Sequence, residues 1–287
     1  PSALLGSQLL VGLINGSFYA ILSLGLAIIF GLLNIINFTH GAQYMMGAFV
    51  AWIALNKLGI NYWVALLFAP IVIGALGVLI ERTMLRKLYK LDHLYGLLLT
   101  FGLALIFEGI FRDQYGISGQ SYPVPELLQG GVNLGFMFLP IYRGWVVVAA
   151  LTVCFATWFV IEKTKLGAYL RAGTENPQIV QALGINVPLL ITFTYGFGGA
   201  LAAFAGVLAA PIYQVSPLMG SNLIIVVFAV VVIGGMGSIM GSILTGIGLG
   251  LIEGLTRVFY PEASAVVVFV IMVIVLLVRP AGLFGKA

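Results

Sequence analysis

Charged residues are scarce in this chain of 287 residues. Only 8% of the residues are charged, with 13 Lys and Arg against 9 Asp and Glu, whereas 61% are apolar. The mean hydropathy is +1.14. Soluble globular domains average roughly 25% charged residues, so this composition excludes a soluble domain and indicates an integral membrane protein.

The single cysteine and the two histidines restrict the chemistry further. Cys154 lies inside an apolar run and has no second cysteine for a disulfide or a thiolate metal site. His40, His93 and nine scattered acidic residues give no metal-ligand spacing, nucleophile motif or carboxylate pair. A Gly-x4-Gly-Lys-Ser/Thr phosphate loop is also missing, so the chain does not bind ATP by that route. We therefore expect no catalytic residues, no metal and no cofactor bound by this chain.

Long apolar runs are what the sequence has instead. A transmembrane helix needs roughly 20 apolar residues, whereas the strands of a membrane barrel alternate over about ten. The sequence predicts an all-α, polytopic transmembrane helical bundle with about eight to nine segments. Because the runs at 42–56 and 222–233 are short, each is expected to be part of a broken or re-entrant helix. The predicted segments are 8–33, 42–56, 62–80, 94–111, 144–161, 188–210, 222–233, 241–256 and 263–278.

The positions of Lys and Arg predict the orientation, because short loops rich in these residues stay in the cytoplasm. We expect two loops and the C-terminus to be cytoplasmic. The side of the N-terminus stays open, since a re-entrant segment near 34–41 would reverse it. No basic stripe interleaved with aromatic residues indicates a nucleic-acid partner. The residues assigned to the cytoplasm are Arg82, Arg86, Lys87, Lys90, Lys163, Lys165, Arg171, Arg279 and Lys286.

A polar segment, "RAGTENPQIVQALGIN" at 171–186, separates two apolar runs. Asn176 is suited to cap the first amides of a helix, Pro177 to its first turn, and Gly184 to the left-handed conformation that ends it. The pattern predicts an amphipathic helix of about seven residues, which is too short to be stable alone. It must therefore pack on the membrane surface, on another protein or, as the alternative, on its own bundle.

A second polar segment, "NIINFTHG" at 34–41, follows the first apolar run without a conventional loop. Polar backbone at membrane depth is tolerated only when it is buried in protein or lines a wet cavity. We interpret it as a helix break whose free amides suit an anionic carboxylate, with Asn37, Thr39, His40 and Gln43 as hydrogen-bonding groups. The alternative is an interfacial turn in which His40 is a hydrogen-bonded structural residue.

Two segments align without gaps and end alike. "LLLTFGLALIFEGIFRDQYG" at 97–116 and "SILTGIGLGLIEGLTRVFYP" at 242–261 both carry Glu followed four residues later by Arg. This spacing places each pair on one helical face. The pairs are Glu108 with Arg112 and Glu253 with Arg257. Either an internal repeat or convergence between two apolar span ends explains the match.

Four stretches resemble the Liv-type branched-chain amino acid permease family of bacterial ABC importers, in the family's order. They are "ENPQIVQALGINVP" at 175–188, "GLINGSFYAILSLGLAIIFGLLNIINFTHGAQYMMGAF" at 12–49, "VVIGGMGSIMGSILTG" at 231–246 and "VRPAGLFGK" at 278–286. One feature departs from importers in general, where a Glu precedes the loop glycine by six residues, because Glu175 and Gly184 are nine apart. That spacing is typical of the Liv-type form.

The resemblance implies a single transmembrane permease domain over 1–287, with a cytoplasmic coupling loop near 162–188. It implies a multi-pass protein of the bacterial cytoplasmic (inner) membrane and a short helix that docks on a separate ATP-hydrolysing subunit, so that ATP acts only through partner subunits. The expected partners are ATP-binding cassette ATPase subunits, a second permease subunit (identical or related), an external solute-binding protein and membrane lipid. The residues expected at the docking element are Glu175, Asn176, Pro177, Leu183 and Gly184.

The resemblance also implies a translocation pathway. The "GGMGSIMG" stretch at 234–241 is typical of close helix packing, and its likeness to the family adds a role in the pathway or gate. The expected solute is a branched-chain or related amino acid. A urea or short-amide permease and an ion-coupled carrier stay open, although a carrier would need ionisable groups near mid-membrane. The residues expected to line the pathway are Asn37, Thr39, His40, Gln43, Tyr213, Gln214, Gly234 and Gly235.

Overall fold

The computed structural model describes residues 2–285, so Lys286 lies outside the described residues. The described chain is built from α-helices, with one small antiparallel hairpin, β1 (Gly131–Asn133) with β2 (Phe138–Pro140), in the loop before α5. The all-α prediction is confirmed. The helices are α1 Ser2–Leu33, α2 His40–Leu58, α3 Tyr62–Thr83, α4 His93–Tyr115, α5 Ile141–Lys163, α6 Lys165–Glu175, α7 Pro177–Ala182, α8 Val187–Tyr213, α9 Ser221–Gly234, α10 Ile239–Phe259 and α11 Val267–Val278.

Six helices within residues 2–285 are long and apolar enough to cross a membrane, and they belong to α1, α3, α4, α5, α8 and α10. The two shorter apolar helices, α9 and α11, have 14 and 12 residues. Each of the predicted apolar segments therefore forms a helix, and the protein is a multi-pass membrane protein. The short runs at 42–56 and 222–233 correspond to α2 and α9, which are shorter than the fully spanning helices around them.

Both α2 and α9 begin inside the bundle. His40, the first residue of α2, hydrogen-bonds the Leu22 carbonyl of α1, although α1 continues to Leu33. At 1.5 Å per residue, α2 therefore starts roughly 16 Å before the end of α1. Gly41 packs against the Gly220 carbonyl, so the two helix N-termini meet at this depth. Residues 34–39 lead the chain back from the end of α1 to this point.

Close backbone contacts between glycines hold α1 at the centre of the bundle. A Cβ at Gly250 of α10 would lie 2.4 Å from the Gly12 carbonyl oxygen and 2.5 Å from the Gly16 Cα atom. Because lipid tails are as apolar as the helix side chains, the hydrophobic effect does not drive membrane helices together. Close van der Waals packing between small residues stabilises their association instead. The glycines of α10 therefore allow it to run antiparallel along α1.

The loops predicted to be cytoplasmic lie at one end of the bundle. Asn34, Asp92 and Pro177 line one cavity there, which joins the end of α1 to the start of α4 and to α7. The chain after α11 returns to the same end, where the Leu283 and Phe284 amides donate to the carbonyls that end α9. Since α1 starts at the opposite end, residue 2 and residue 285 lie on opposite sides of the bundle.

Substitution of Gly250 by Ala tests the glycine packing. The added Cβ would overlap the backbone of α1, so we expect the free energy of unfolding to fall by about 1–3 kcal/mol. The measurement is the thermal unfolding midpoint of the purified chain in mild detergent.

The matched control is Gly248→Ala, on the same helix, where an added Cβ meets nothing within 4 Å. Its expected effect is neutral, or stabilising by up to about 1 kcal/mol, because Ala has the higher helix propensity. Equal melting temperatures for the two variants would contradict the packing argument.

Candidate functional site

The polar segment at 171–186 forms the end of α6, all of α7 and the turn into α8. As predicted, the Asn176 side chain accepts a hydrogen bond from the Ile179 amide (3.2 Å), and Pro177 occupies the first turn. Gly184 has a φ of +92°, which a glycine adopts without strain. The helix has six residues, close to the predicted length.

The apolar side chains in and just after α7 differ in exposure. Val180 is 5% exposed and packs on the bundle, whereas Ile179 is 58% exposed and Leu183 is 75% exposed. Val180 therefore anchors the helix to its own chain. Ile179 and Leu183 form an exposed apolar pair at the tip of the loop. Glu175 is also exposed there.

A buried carboxylate, which the sequence reasoning missed, joins three elements at this end. Glu81 of α3 is fully buried and accepts hydrogen bonds from Tyr89 (3.0 Å) and from Thr192 of α8 (2.6 Å). Arg86 lies 3.5 Å from the same carboxylate. Burial, with the nearby Glu81 charge, raises the pKa of Tyr89, so this phenol stays protonated and donates. An acidic residue at the end of an apolar run was the available sequence signal.

Three of the predicted pathway residues meet Tyr195 of α8 to form a buried polar cluster: Asn37, Thr39, Gln43 and Tyr195. The Asn37 side-chain oxygen accepts from Tyr195 (3.0 Å) and from Thr39 (2.5 Å), and its amide donates to Gln43 (3.3 Å). All four side chains are fully buried. Tyr195 was not predicted, because nothing in a long apolar helix distinguishes one tyrosine from its neighbours.

His40 follows Thr39 in sequence but hydrogen-bonds elsewhere. One ring nitrogen, Nε2, bonds the Leu22 carbonyl oxygen at 2.8 Å, and the other has no partner in the structure. This arrangement agrees with the alternative of a structural histidine between α1 and α2. The Gln43 amide nitrogen is also buried without a partner. Buried polar atoms of this kind are uncommon, and each carries a desolvation cost of about 1–3 kcal/mol.

Tyr213 lies at an open cavity of about 420 Å³ between α1, α2 and α9, here named the aromatic cavity. Its hydroxyl donates to the Asn15 side chain at 2.9 Å. Tyr44, also in the wall, directly follows Gln43 of the buried polar cluster on α2, so the two sites are neighbours along that helix. The cavity is lined by Asn15, Phe18, Tyr19, Tyr44, Tyr213, Ser216, Leu218, Met219, Asn222 and Leu223.

The remaining predicted pathway residues lie apart from these two sites. Gln214 is exposed with a φ of +67°, and its side chain contacts Gly119 outside the cavity wall. Gly234 and Gly235 end α9 at the opposite end of the bundle, where residues 281–285 pack on them. The structure therefore does not bring the predicted pathway residues together in a single site.

Both predicted Glu-to-Arg pairs form. Arg112 lies 3.0 Å from Glu108, and Arg257 lies 3.5 Å from Glu253. They differ in their surroundings, because Glu253 is buried and also accepts a hydrogen bond from Tyr19 (3.0 Å) in the wall of the aromatic cavity. In the part of the chain that the structure describes, no three His, Cys, Asp or Glu side chains form a metal-binding group.

Comparison with known proteins relates this architecture to a family. Residues 8–276 match the family described as "Branched-chain amino acid transport system / permease component". The chain is 33% identical to the high-affinity branched-chain amino acid transport system permease protein BraD of Pseudomonas aeruginosa, over 97% of this chain and 95% of that protein. It is 29% identical to the permease protein LivH of Escherichia coli K12 over the same shares, 97% and 95%. No solved structure matches it.

A more distant relative has a different subunit name. The permease protein LivM of Salmonella typhimurium is 28% identical over 92% of this chain and 67% of that protein. These relatives are transport components and not enzymes, and the family match includes α7, the buried polar cluster and the aromatic cavity. The resemblance drawn from the sequence is confirmed: the chain is a transmembrane permease subunit and belongs to the family of permease components of branched-chain amino acid transport systems.

Proposed function

We propose that this permease serves an ABC importer for branched-chain or related amino acids in the cytoplasmic (inner) membrane, and that α7 couples it to a separate ATPase subunit. The observation that carries the proposal is the exposed apolar pair, Ile179 and Leu183, on a capped helix anchored by Val180. An isolated helix of six residues is unstable in water, whereas one that is anchored on its own bundle presents a rigid apolar surface. We infer that this surface inserts into an apolar groove on the ATPase subunit.

The docking element would transmit motion through packed side chains. Pro177 lines a cavity of about 320 Å³ together with Tyr89, and Tyr89 bonds the buried Glu81 carboxylate. Glu81 in turn accepts from Thr192, one turn before Tyr195 on α8. Tyr89, Glu81 and Thr192 thus form a hydrogen-bonded connection from the cavity beside α7 to α8, one turn from the buried polar cluster, and such connections support coupling between distant sites.

The aromatic cavity and the buried polar cluster would form successive levels of the pathway. The cavity has the size of a small-molecule site and combines apolar walls with a few polar groups, as such sites do. The cluster below it is fully buried, so a solute passes only if α2 or α9 moves. Gly41 against Gly220 is the backbone contact that such a movement would separate. Gly234 and Gly235 are the proposed pivot at the other end of α9.

The partners of this proposal are those of an ABC importer: ATPase subunits, a second permease subunit (identical or related) and an external solute-binding protein. ATP is hydrolysed only in the partners. The positive-inside rule assigns the basic loops and the C-terminus to the cytoplasm, and these elements lie at the same end of the bundle as α7. That shared end supports a cytoplasmic position for the docking helix.

A urea or short-amide permease of the same superfamily would use the same docking element and differ only in the solute. An ion-coupled carrier would instead translocate charge through ionisable groups within the spans. Glu81 and Glu253 are the buried carboxylates that a carrier could use, but each lies near a span end and is held by hydrogen bonds. Transport that stops when ATP is removed separates the importer from the carrier.

Leu183→Asp tests the docking helix. A charge in the centre of an apolar interface typically costs 2 kcal/mol or more, so we expect association with the ATPase subunits, and ATP-driven uptake into proteoliposomes, to fall at least about tenfold. Co-purification with the ATPase subunits measures the association directly. Leu127→Asp is the control, because Leu127 is similarly exposed (78%) but lies in the loop at the opposite end. Unchanged association of Leu183→Asp would refute the docking role.

Tyr195→Phe tests the buried polar cluster. It removes the hydroxyl that donates to Asn37 and leaves the ring in place, so we expect uptake per folded transporter to fall by about fivefold or more, as the loss of one buried hydrogen bond allows. Binding to the ATPase subunits should not change. Tyr122→Phe is the control, because the Tyr122 hydroxyl is buried without a partner. If Tyr195→Phe lowers the melting temperature but leaves uptake normal, the cluster has only a structural role.

A further inference from the structure

An apolar groove of about 490 Å³ opens on the side of the bundle, near the end that carries α7. Its walls come from α5, α6 and α8, between Val153 and Ile161 on one side and Leu190 and Phe197 on the other. Two threonines interrupt the apolar walls, and the Thr194 hydroxyl is already bonded to the Leu190 carbonyl. The walls are therefore almost entirely apolar, and their surface suits a hydrocarbon chain.

The rim of the groove at the end of α5 is positively charged. Lys163 ends α5, Lys165 begins α6, and Arg171 follows Leu170 of the groove wall. The Arg171 guanidinium donates to the carbonyl of Ile161, which is itself a wall residue, at 3.2 Å. Of these three cations, Arg171 forms an ion pair with Glu162, at 3.5 Å. A net positive charge therefore remains at the mouth.

The helix α6 has the pattern of an interfacial helix. Leu166 and Leu170, one turn apart, line the groove, while Lys165 and Arg171 are exposed to solvent. Amphipathic helices with basic polar faces lie at the boundary between headgroups and acyl chains. The Lys163 ammonium lies 5.8 Å from the centre of the Trp158 ring. Because Trp and Lys are both typical of the membrane interface, this pair indicates the same depth as α6.

We propose that this groove is a binding site for an anionic phospholipid. One acyl chain lies between α5, α6 and α8, and the phosphate lies against Lys163, Lys165 and Arg171. Basic pockets between transmembrane helices on the cytoplasmic side are the surfaces that anionic headgroups recognise. Because α6 leads directly into α7, the bound lipid holds the base of the docking loop at a fixed depth in the membrane.

The chemistry favours a lipid over a protein occupant. A soluble ATPase subunit does not reach walls that lie within the transmembrane helices α5 and α8. A second copy of the permease in the same orientation would cover the apolar walls, but at this end it carries more basic than acidic residues and so matches the basic rim less well. A phospholipid with a negative headgroup matches both parts of the site.

Native mass spectrometry of the full chain in mild detergent tests the site, with phosphatidylglycerol and phosphatidylcholine of identical acyl chains as probes. We expect phosphatidylglycerol to bind at least about tenfold more tightly. The variant in which Lys163, Lys165 and Arg171 are all changed to Gln should lose most of this preference, since each cation near the surface contributes about a factor of five. The control changes Arg82, Lys87 and Lys90 to Gln, which removes the same charge from the other basic loop, and should retain the preference.

The acyl-chain part of the site has its own variant. Ala156 is an exposed residue of the groove wall, so Ala156→Trp fills the groove without changing the core, and both lipids should bind more weakly. The proposal is overturned if the two triple variants lose phosphatidylglycerol equally. It is also overturned if Ala156→Trp leaves lipid binding unchanged but dissociates a permease dimer, because the occupant would then be a second copy. Neither readout depends on ATP hydrolysis or solute transport.

Discussion

Every backbone amide and carbonyl within the hydrocarbon region must find its hydrogen-bond partner inside the protein, and the arrangement of this chain depends on that constraint. The chain leaves α1 at Leu33, returns through residues 34–39 and begins α2 at His40, deep in the bundle. Such an interruption is tolerated where neighbouring side chains satisfy its backbone, and the buried Thr100 hydroxyl of α4 accepts from the Phe38 amide (3.1 Å) and lies 3.2 Å from the Ile36 carbonyl. The helix break therefore gathers several fully buried polar side chains, including Asn37, Thr39 and Gln43.

Close glycine contacts provide the cover that the interruption needs. Gly250 brings α10 onto α1, and Gly220 brings the start of α9 onto Gly41 at the start of α2. The side-chain oxygen of Asn37 then accepts hydrogen bonds from Tyr195 and Thr39. The side-chain nitrogen of Gln43 and the Nδ1 atom of His40 have no hydrogen-bond partner. Two buried polar atoms without a hydrogen-bond partner thus lie at the start of α2, in the segment that the proposed pathway must open.

The end of the bundle that carries α7 combines rigidity with exposure. Glu81 ties α3 to α8 through Thr192, and Val180 holds α7 on the bundle, so α7, the proposed docking helix, is attached to a stiff base. On the neighbouring side, Leu166 and Leu170 of α6 complete the apolar groove. The same loop therefore presents one apolar surface at Ile179 and Leu183 and another at the apolar groove. Because α6 leads directly into α7, the two proposals together link the movement of α7 to the depth of α6 in the membrane.

The sequence by itself determined the features that depend on neighbours along the chain. The apolar runs specified the helices because a helix satisfies its backbone hydrogen bonds within itself. Asn176 and Gly184 specified the limits of α7 because a cap acts within one turn. Only the tertiary structure decided that Asn37 meets Tyr195, that His40 bonds Leu22, and that Gly234 lies far from Tyr213. These contacts join residues on different helices that are far apart in the sequence. They depend on which helix faces pack together, and no local sequence pattern encodes that choice.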